Sequence, residues 1–579
     1  MTDDTPATDM PATDTPATAG GRDGYFSDWL VDYLRRHGVS RFAFNPGASF
    51  RGVHDSLVAT LGPGGDDLVM ACHEEIAVAI AHGYHKASGR HMAVLLHANV
   101  GLLHGSMALF NAWCDRIPLL CLVGNGPLES GRRRPWIDWI HTAHDVLAPV
   151  RGYTALAASS TDQWGSADDL RRALRALQSR RLHGPAVVAL DVAVQESPVE
   201  DRVLALPQAG FVHRPDRLDE SDLQQVTSAV TAARRPVVLV ERAARLPGIL
   251  RALGEFCDVT GGRVPVVECG YSENTVSTAR PEWIRLEEGL PTGEPPDLVI
   301  ALDVTDPLGQ LSFLYPRERL DRTQVISIDA AAAPLQSWSA DVGVDPPGPV
   351  YLADGRDALE RLTAALRVIG PFDHVPAVIR RAAVPTVLDT LLECTAEVLA
   401  AEGSDHVVVN GGSTGIDHAI RRVLRFTRER QYLGMNGGGG LGYGLPAAVG
   451  AAIALREDGS GTLPVAFLGD GDLLYTPSAL WTAAARSVPL LMVVVNNGQY
   501  LNSVQHARAV ARDRDRDTDP RIGTTFDDSP VPFDRLAAAF SIGSLRVDGT
   551  DRAELEAGLR TGLKAVAGGL PYLLEVTVA

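Results

Sequence analysis

The sequence predicts an α/β fold of three doubly wound parallel-sheet domains. Three observations lead there. At 579 residues the chain is too long for one ordinary hydrophobic core and suits three or four units of roughly 150 residues. Short apolar runs alternate with stretches of helical period, the rhythm of β-α-β units around a parallel sheet. That rhythm occurs three times, interrupted by loose text rich in Pro, Gly and charge.

In chain order, residues 1–22 repeat Pro-Ala-Thr with interspersed Asp and cannot bury an apolar face, so they are expected to be a disordered tail. A first domain spans 23–195, with helix-period stretches Tyr25–His37, Glu74–Ser88 and Leu103–Cys114 and strand candidates Phe42–Phe44, Met92–Leu96, Leu119–Val123 and Ala186–Leu190. A second spans 215–355, with strands expected at Pro236–Val240, Val264–Glu268, Leu298–Leu302 and Gln324–Ile328. A third spans 385–579, with strands expected at His406–Val409, Pro464–Leu468, Leu490–Val495 and Tyr572–Val576.

Composition narrows the function classes. Lys+Arg 53 against Asp+Glu 71 leaves a net charge of −18, a field that repels phosphate backbones and anionic membranes, so nucleic acid and membrane are not expected as partners. Six cysteines without a C-x-x-C pair argue against a disulfide framework and a structural zinc. No apolar run reaches membrane-span length and the N-terminus is acidic rather than basic, so a cytoplasmic location is expected.

The segment richest in chemistry is Pro464–Asn497. An apolar strand ends in Gly469-Asp470-Gly471, a crossover helix follows, and a second apolar strand ends in Asn496-Asn497. Parallel strands bring both ends to one sheet edge, where Asp470 and Asn497 converge as hard oxygen ligands suited to Mg²⁺ and a phosphate group. The bland alternative is a capped βα turn. Glu74 opens an apolar helix, where desolvation raises a carboxyl pKa and favours a shared proton; its bland reading is an acid at a helix N-terminus. His97 ends a strand and so faces the crevice, although it is one of 16 histidines. His506, nine residues past Asn497, is a weaker pocket candidate.

Two other motifs compete. Gly437–Gly442 satisfies G-x-G-x-x-G, but Asp458 falls in a polar turn rather than at a strand end, which argues against NAD. Gly411-Gly412-Ser413-Thr414-Gly415 satisfies G-x-S-x-G and raises a serine hydrolase using Ser413, a pattern that leaves residues 25–400 unexplained.

Gly469-Asp470-Gly471 with Asn497 27 residues after the Asp resembles the cofactor signature of thiamine diphosphate-dependent enzymes. His73-Glu74-Glu75, Asn45-Pro46-Gly47-Ala48-Ser49, Leu96-His97-Ala98, Asp115-Arg116-Ile117-Pro118 and Gly439-Gly440-Leu441-Gly442 match that family in order. Within it the chain resembles benzoylformate decarboxylase and acetolactate synthase-like proteins. The resemblance implies a pyrimidine-binding, a central Rossmann-like and a diphosphate-binding domain, with thiamine diphosphate and Mg²⁺ as cofactors. It implies that Asp470, Asn497 and the Gln499 carbonyl hold Mg²⁺, and that Ser413, Thr414, Gly469, Gly471 and Asp472 surround the diphosphate. Leu441 and the Gly439 carbonyl would then shape and contact the cofactor, Glu74 would meet the aminopyrimidine from a partner subunit, and His97 would face the substrate, with Ser49 and His506 as further catalytic candidates. The implied reaction is C–C cleavage or formation on a 2-oxo acid, with an aldehyde or second 2-oxo acid as possible acceptor. The implied assembly is a homodimer or a dimer of dimers. A catalytically inactive cofactor-binding paralogue is the alternative.

The sequence also departs from these relatives. Ala48 stands where the decarboxylases carry serine, Ser49 following; Arg280 stands near the place of their second active-site histidine; Asp472 adds a charge after Gly471. Glu241-Arg242-Ala243 replaces a glycine turn after Val240, so FAD is not expected.

Overall fold

A computed structural model of the chain describes residues 24–578, apart from 63–64, 66, 180–181, 183, 208–215, 271–272, 291–292, 332–347, 373–385 and 413. The tail expected at residues 1–22 lies outside them.

Three parallel sheets form the frame. The first comprises β1 (Arg41–Phe44), β2 (Leu68–Met70), β3 (Met92–His97), β4 (Leu120–Asn125), β5 (Leu156–Ser160) and β6 (Ala186–Asp191), in the order β2-β1-β3-β4-β6-β5. The second comprises β7 (Pro236–Val240), β8 (Val266–Glu268), β9 (Trp283–Arg285), β10 (Leu298–Leu302), β11 (Gln324–Asp329) and β12 (Val350–Leu352), in the order β12-β11-β10-β7-β8-β9. The third, with β13 (His406–Gly411), β14 (Leu463–Gly469), β15 (Leu491–Asn496), β16 (Gly543–Asp548) and β17 (Tyr572–Thr577), runs β13-β14-β15-β17-β16. Strands covered on both faces read as continuous Val, Leu, Ile and Ala, as β4, β7 and β15 do.

Five strands escaped the sequence reading: β2, β5, β9, β12 and β16. Each is a sheet edge. β2, β9 and β12 are only three residues long, and β5 and β16 interrupt their apolar positions with Ser, Arg or Asp, so none offers a long unbroken apolar run.

The first and third sheets are clamped together by two small-residue helices, Glu74–Ser88 and Gly444–Asp458. A Cβ at Gly83 would lie 1.9 Å from the Ala447 carbonyl oxygen, and one at Gly450 would lie 1.9 Å from that of Ile80. Only glycine permits backbones this close.

Asp115 knots all three sheets. Its carboxylate receives Lys86 Nζ at 2.8 Å, Arg242 Nη1 at 3.0 Å and the Gly437 N–H at 2.8 Å. These cations hold it far below the usual carboxylate range despite its burial. Arg116 pairs with Asp329 at 2.8 Å, while Arg421–Glu268 and Arg285–Asp417 join the second sheet to the third. Apart from the half-buried Arg242 all these side chains are buried, so loss of one partner would strand a charge in the interior.

Candidate active site

Adjacent parallel strands β14 and β15, in the register Gly469↔Val495, end side by side. Asp470 follows the first as the opening residue of the helix Asp470–Tyr475, a turn of helix where the sequence suggested only a glycine turn. Its Oδ1 accepts the Gly471 N–H at 2.8 Å and its Oδ2 the Gly498 N–H at 2.8 Å. Burial raises its pKa in spite of these donors. Asn497 follows β15, and its Oδ1 accepts the Gln499 N–H at 3.0 Å. The sheet therefore gathers Asp470, Asn497 and Gln499 at one edge.

The surrounding backbone is open. Nothing within 4 Å would meet a Cβ at Gly439 or Gly498, and at Gly469 only the Gly412 Cα comes as near as 4.0 Å. Gly471 packs beneath the Tyr500 ring. Hard oxygens beside glycines with open space around them fit a Mg²⁺ ion and a diphosphate. Thr414 opens the helix Thr414–Val423 beyond β13; Ser413 lies outside the described residues.

Asp472 is buried, and its two oxygens accept the N–H groups of Gly442 at 2.8 Å and Gly444 at 3.1 Å. Its carboxyl thus pins the loop bearing Gly439 and Leu441 onto the turn after β14. Burial pushes its pKa up to about 7, against those two donors and with Glu75 adding to the rise. Leu441 is partly exposed, and Gly439 has φ +68, a left-handed conformation suited to glycine. No strand precedes this loop, and Asp458 ends a helix, so a dinucleotide fingerprint has no frame here.

The first sheet builds a second cluster. Strands β1, β3 and β4 end together, bringing Ser49 from the turn after β1 onto His97 at the end of β3. Ser49 Oγ lies 2.8 Å from His97 Nδ1, and the Ser49 N–H donates to the same nitrogen at 3.4 Å. A backbone N–H can only donate, so Nδ1 is the acceptor and the neutral ring carries its proton on Nε2. Glycines admit the approach: a Cβ at Gly47 would sit 2.5 Å from His97 Cβ, and one at Gly124 would sit 2.3 Å from the Ser49 carbonyl oxygen.

Burial, reinforced by the neighbouring His141, lowers the His97 pKa; Glu74 acts the other way. The two imidazole centroids stand 4.9 Å apart. His141 ends the short helix Ile137–His141, which Arg134 anchors through Asp138 at 2.7 Å. Its Nδ1 is buried without a hydrogen-bond partner.

Glu74 is buried at the start of its helix, with Oε2 3.1 Å from His104 Nδ1. His104 and His141 were missed in the sequence. For His104 a signal existed: residues 97, 101 and 104 share one face at helical spacing. His141 had none, because it reaches the cleft by a loop.

His506 is exposed on the helix Leu501–Asp513. Arg280 belongs to the second sheet's surroundings, where it pairs with Asp258 and donates to the Gly254 carbonyl.

The chain is similar in sequence and fold to known proteins. The profile of the N-terminal TPP binding domain of thiamine pyrophosphate enzymes matches residues 25–146, and that of their C-terminal TPP binding domain matches 413–576. Acetolactate synthase of Arabidopsis thaliana chloroplasts is 23% identical over 95% of this chain and 81% of its own. A probable 2-ketoarginine decarboxylase of Pseudomonas aeruginosa is 26% identical over 81% of each. Among solved structures, a thiamine diphosphate-dependent 4-hydroxybenzoylformate decarboxylase of Rhodococcus jostii superposes with a TM-score of 0.77 at 20% identity, covering 96% of this chain and 99% of that one.

Proposed function

The chain belongs to the thiamine pyrophosphate enzymes, and from that premise we propose that it is a Mg²⁺- and thiamine diphosphate-dependent 2-oxo acid decarboxylase or carboligase. The carrying observation is the convergence of Asp470 and Asn497 beside glycines with open space around them, with a buried Glu74 on a separate cluster. Bound thiamine diphosphate would supply the electron sink that lets a C–C bond beside a carbonyl break or form.

This chain's residues take the remaining tasks. Asp470, Asn497 and the Gln499 carbonyl would hold the metal, and the backbone near Gly412 and Gly469 would admit the diphosphate. Asp472 fixes the loop that carries Leu441 and Gly439. Glu74 would offer a shared proton to a ring nitrogen of the cofactor. His97, held neutral by burial and bearing its proton on Nε2, faces the substrate with Ser49 and His141 as donor and orienting partners.

We assign the active assembly to at least two copies of the chain. Gly101 lies against the Glu74 carboxylate, and Asn111 bonds Gly440 from the same helix, Ala98–Cys114. Ten residues of α-helix hold those points about 15 Å apart. A second copy would bring its own Glu74 to the loop, and the exposed Leu103, Met107, Leu441 and Tyr475 supply apolar surface for it. Six free cysteines accord with a reducing compartment, and among the described residues no helix is long and apolar enough to cross a membrane.

The test is a screen of 2-oxo acids with and without aldehyde acceptors, reading both CO₂ and ligated product. CO₂ release that depends on thiamine diphosphate and Mg²⁺ is expected; no turnover of any 2-oxo acid by cofactor-loaded protein would sink the proposal.

A further inference from the structure

The residues around Glu74 carry one step more. His73 caps the helix Glu74–Ser88, its Nδ1 accepting the Glu75 N–H at 3.2 Å. That nitrogen is therefore unprotonated, and burial keeps the ring neutral by lowering its pKa. The His104 ring stacks on His73, with centroids 4.9 Å apart and planes inclined by 22°. Its Nδ1 lies 3.1 Å from Glu74 Oε2. One turn earlier on the same helix, a Cβ at Gly101 would come within 3.1 Å of Glu74 Oε1. The helix Ala98–Cys114 thus meets both carboxylate oxygens, setting an imidazole nitrogen against one and a glycine, with no side chain, against the other.

We propose that His104 is a positioning residue: it donates Nδ1–H to Glu74 Oε2 and so reserves Oε1 as the oxygen that shares a proton with the cofactor. This rests on the thiamine diphosphate reading above. A buried carboxylate with one fixed donor has a defined orientation and a defined free lone pair. Without that donor it rotates, and its desolvation goes uncompensated.

The geometry makes a side-chain-specific demand. An asparagine amide nitrogen at position 104 occupies the place of imidazole Nδ1, whereas phenylalanine keeps the ring and its stacking on His73 but has no donor. We expect His104→Phe to bind thiamine diphosphate with Mg²⁺ at nearly wild-type affinity, measured by equilibrium dialysis, and to slow exchange of the cofactor C2 proton about 10²-fold, the scale of a misplaced catalytic group. His104→Asn should restore exchange to within about tenfold of wild type.

A second readout needs no cofactor. In ¹⁵N-histidine-labelled apoprotein, the signal lost in His104→Asn should carry its proton on Nδ1. Exchange in His104→Phe as fast as wild type, an asparagine variant no faster than the phenylalanine one, or an Nε2–H tautomer at His104 would each overturn the proposal. Wild-type protein that fails to speed C2 exchange above free cofactor would instead overturn the cofactor reading itself.

Discussion

Glu74 and Asp470 are both buried carboxylates that open a helix, one soon after β2 of the first sheet and the other directly after β14 of the third, yet different parts of the chain hold them. Asp470 is held by backbone, through the N–H groups of Gly471 and Gly498 and the register of two strands. Glu74 is held by side chains, with His104 on one oxygen and His73 stacked behind it. Backbone donors come with the fold and need only glycine nearby. Side-chain donors are set one residue at a time, so a single substitution can remove each support of Glu74.

The comparison can be broken at several points. The largest effect is expected from Asp470→Ala, which removes the only anionic ligand of the proposed metal set: Mg²⁺-dependent retention of thiamine diphosphate should vanish. Unchanged cofactor affinity with Mg²⁺ as sole metal would refute the assignment.

Glu74→Gln keeps shape and one hydrogen bond but cannot share a proton, so it should bind cofactor while C2-proton exchange falls by about 10⁴-fold. Mixing Glu74→Gln with Asp470→Ala chains should recover part of the activity; a fully active monomer at assay concentration would contradict the shared site. His97→Ala should lower turnover about 10²-fold at saturating cofactor. If cofactor binding collapses instead, His97 is structural.

Gly83→Ala tests the frame rather than the chemistry. Its Cβ would strike a backbone carbonyl, so unfolding in urea should show a loss of about 3 kcal/mol or more, shared between both sheets. A stable variant with unchanged helix spacing would mean the clamp yields.

The smallest effect concerns pH. His82, on the Glu74 helix, is buried 3.0 Å from Asp115, and desolvation lowers its pKa to about 4. The unfolded chain binds a proton there near pH 6.5 and the folded chain does not, so stability should fall as pH drops from 6.5 towards 4, by no more than about 3 kcal/mol. His82→Phe should flatten that slope; an identical slope would locate the titration elsewhere.

The sequence by itself determined the frame. Interior strands β3, β4, β7, β10, β14 and β15 are legible because burial on both faces demands unbroken apolar runs. β13 is legible although it lies at an edge, since Tyr432 bridges to Val408 and covers it. The convergence of Asp470 and Asn497 was equally legible, because parallel strands joined by a crossover helix must end on one side.

Only the tertiary structure decided the rest. It selected the edge strands, too short or too interrupted by polar residues to read as strands, and it set which oxygen of Glu74 meets His104. It brought His141 from a loop onto His97 and turned Asp472 towards Gly442 and Gly444. Local pattern records how much apolar surface a segment must bury. It holds no record of which distant side chain will stand opposite once three sheets have closed on one another.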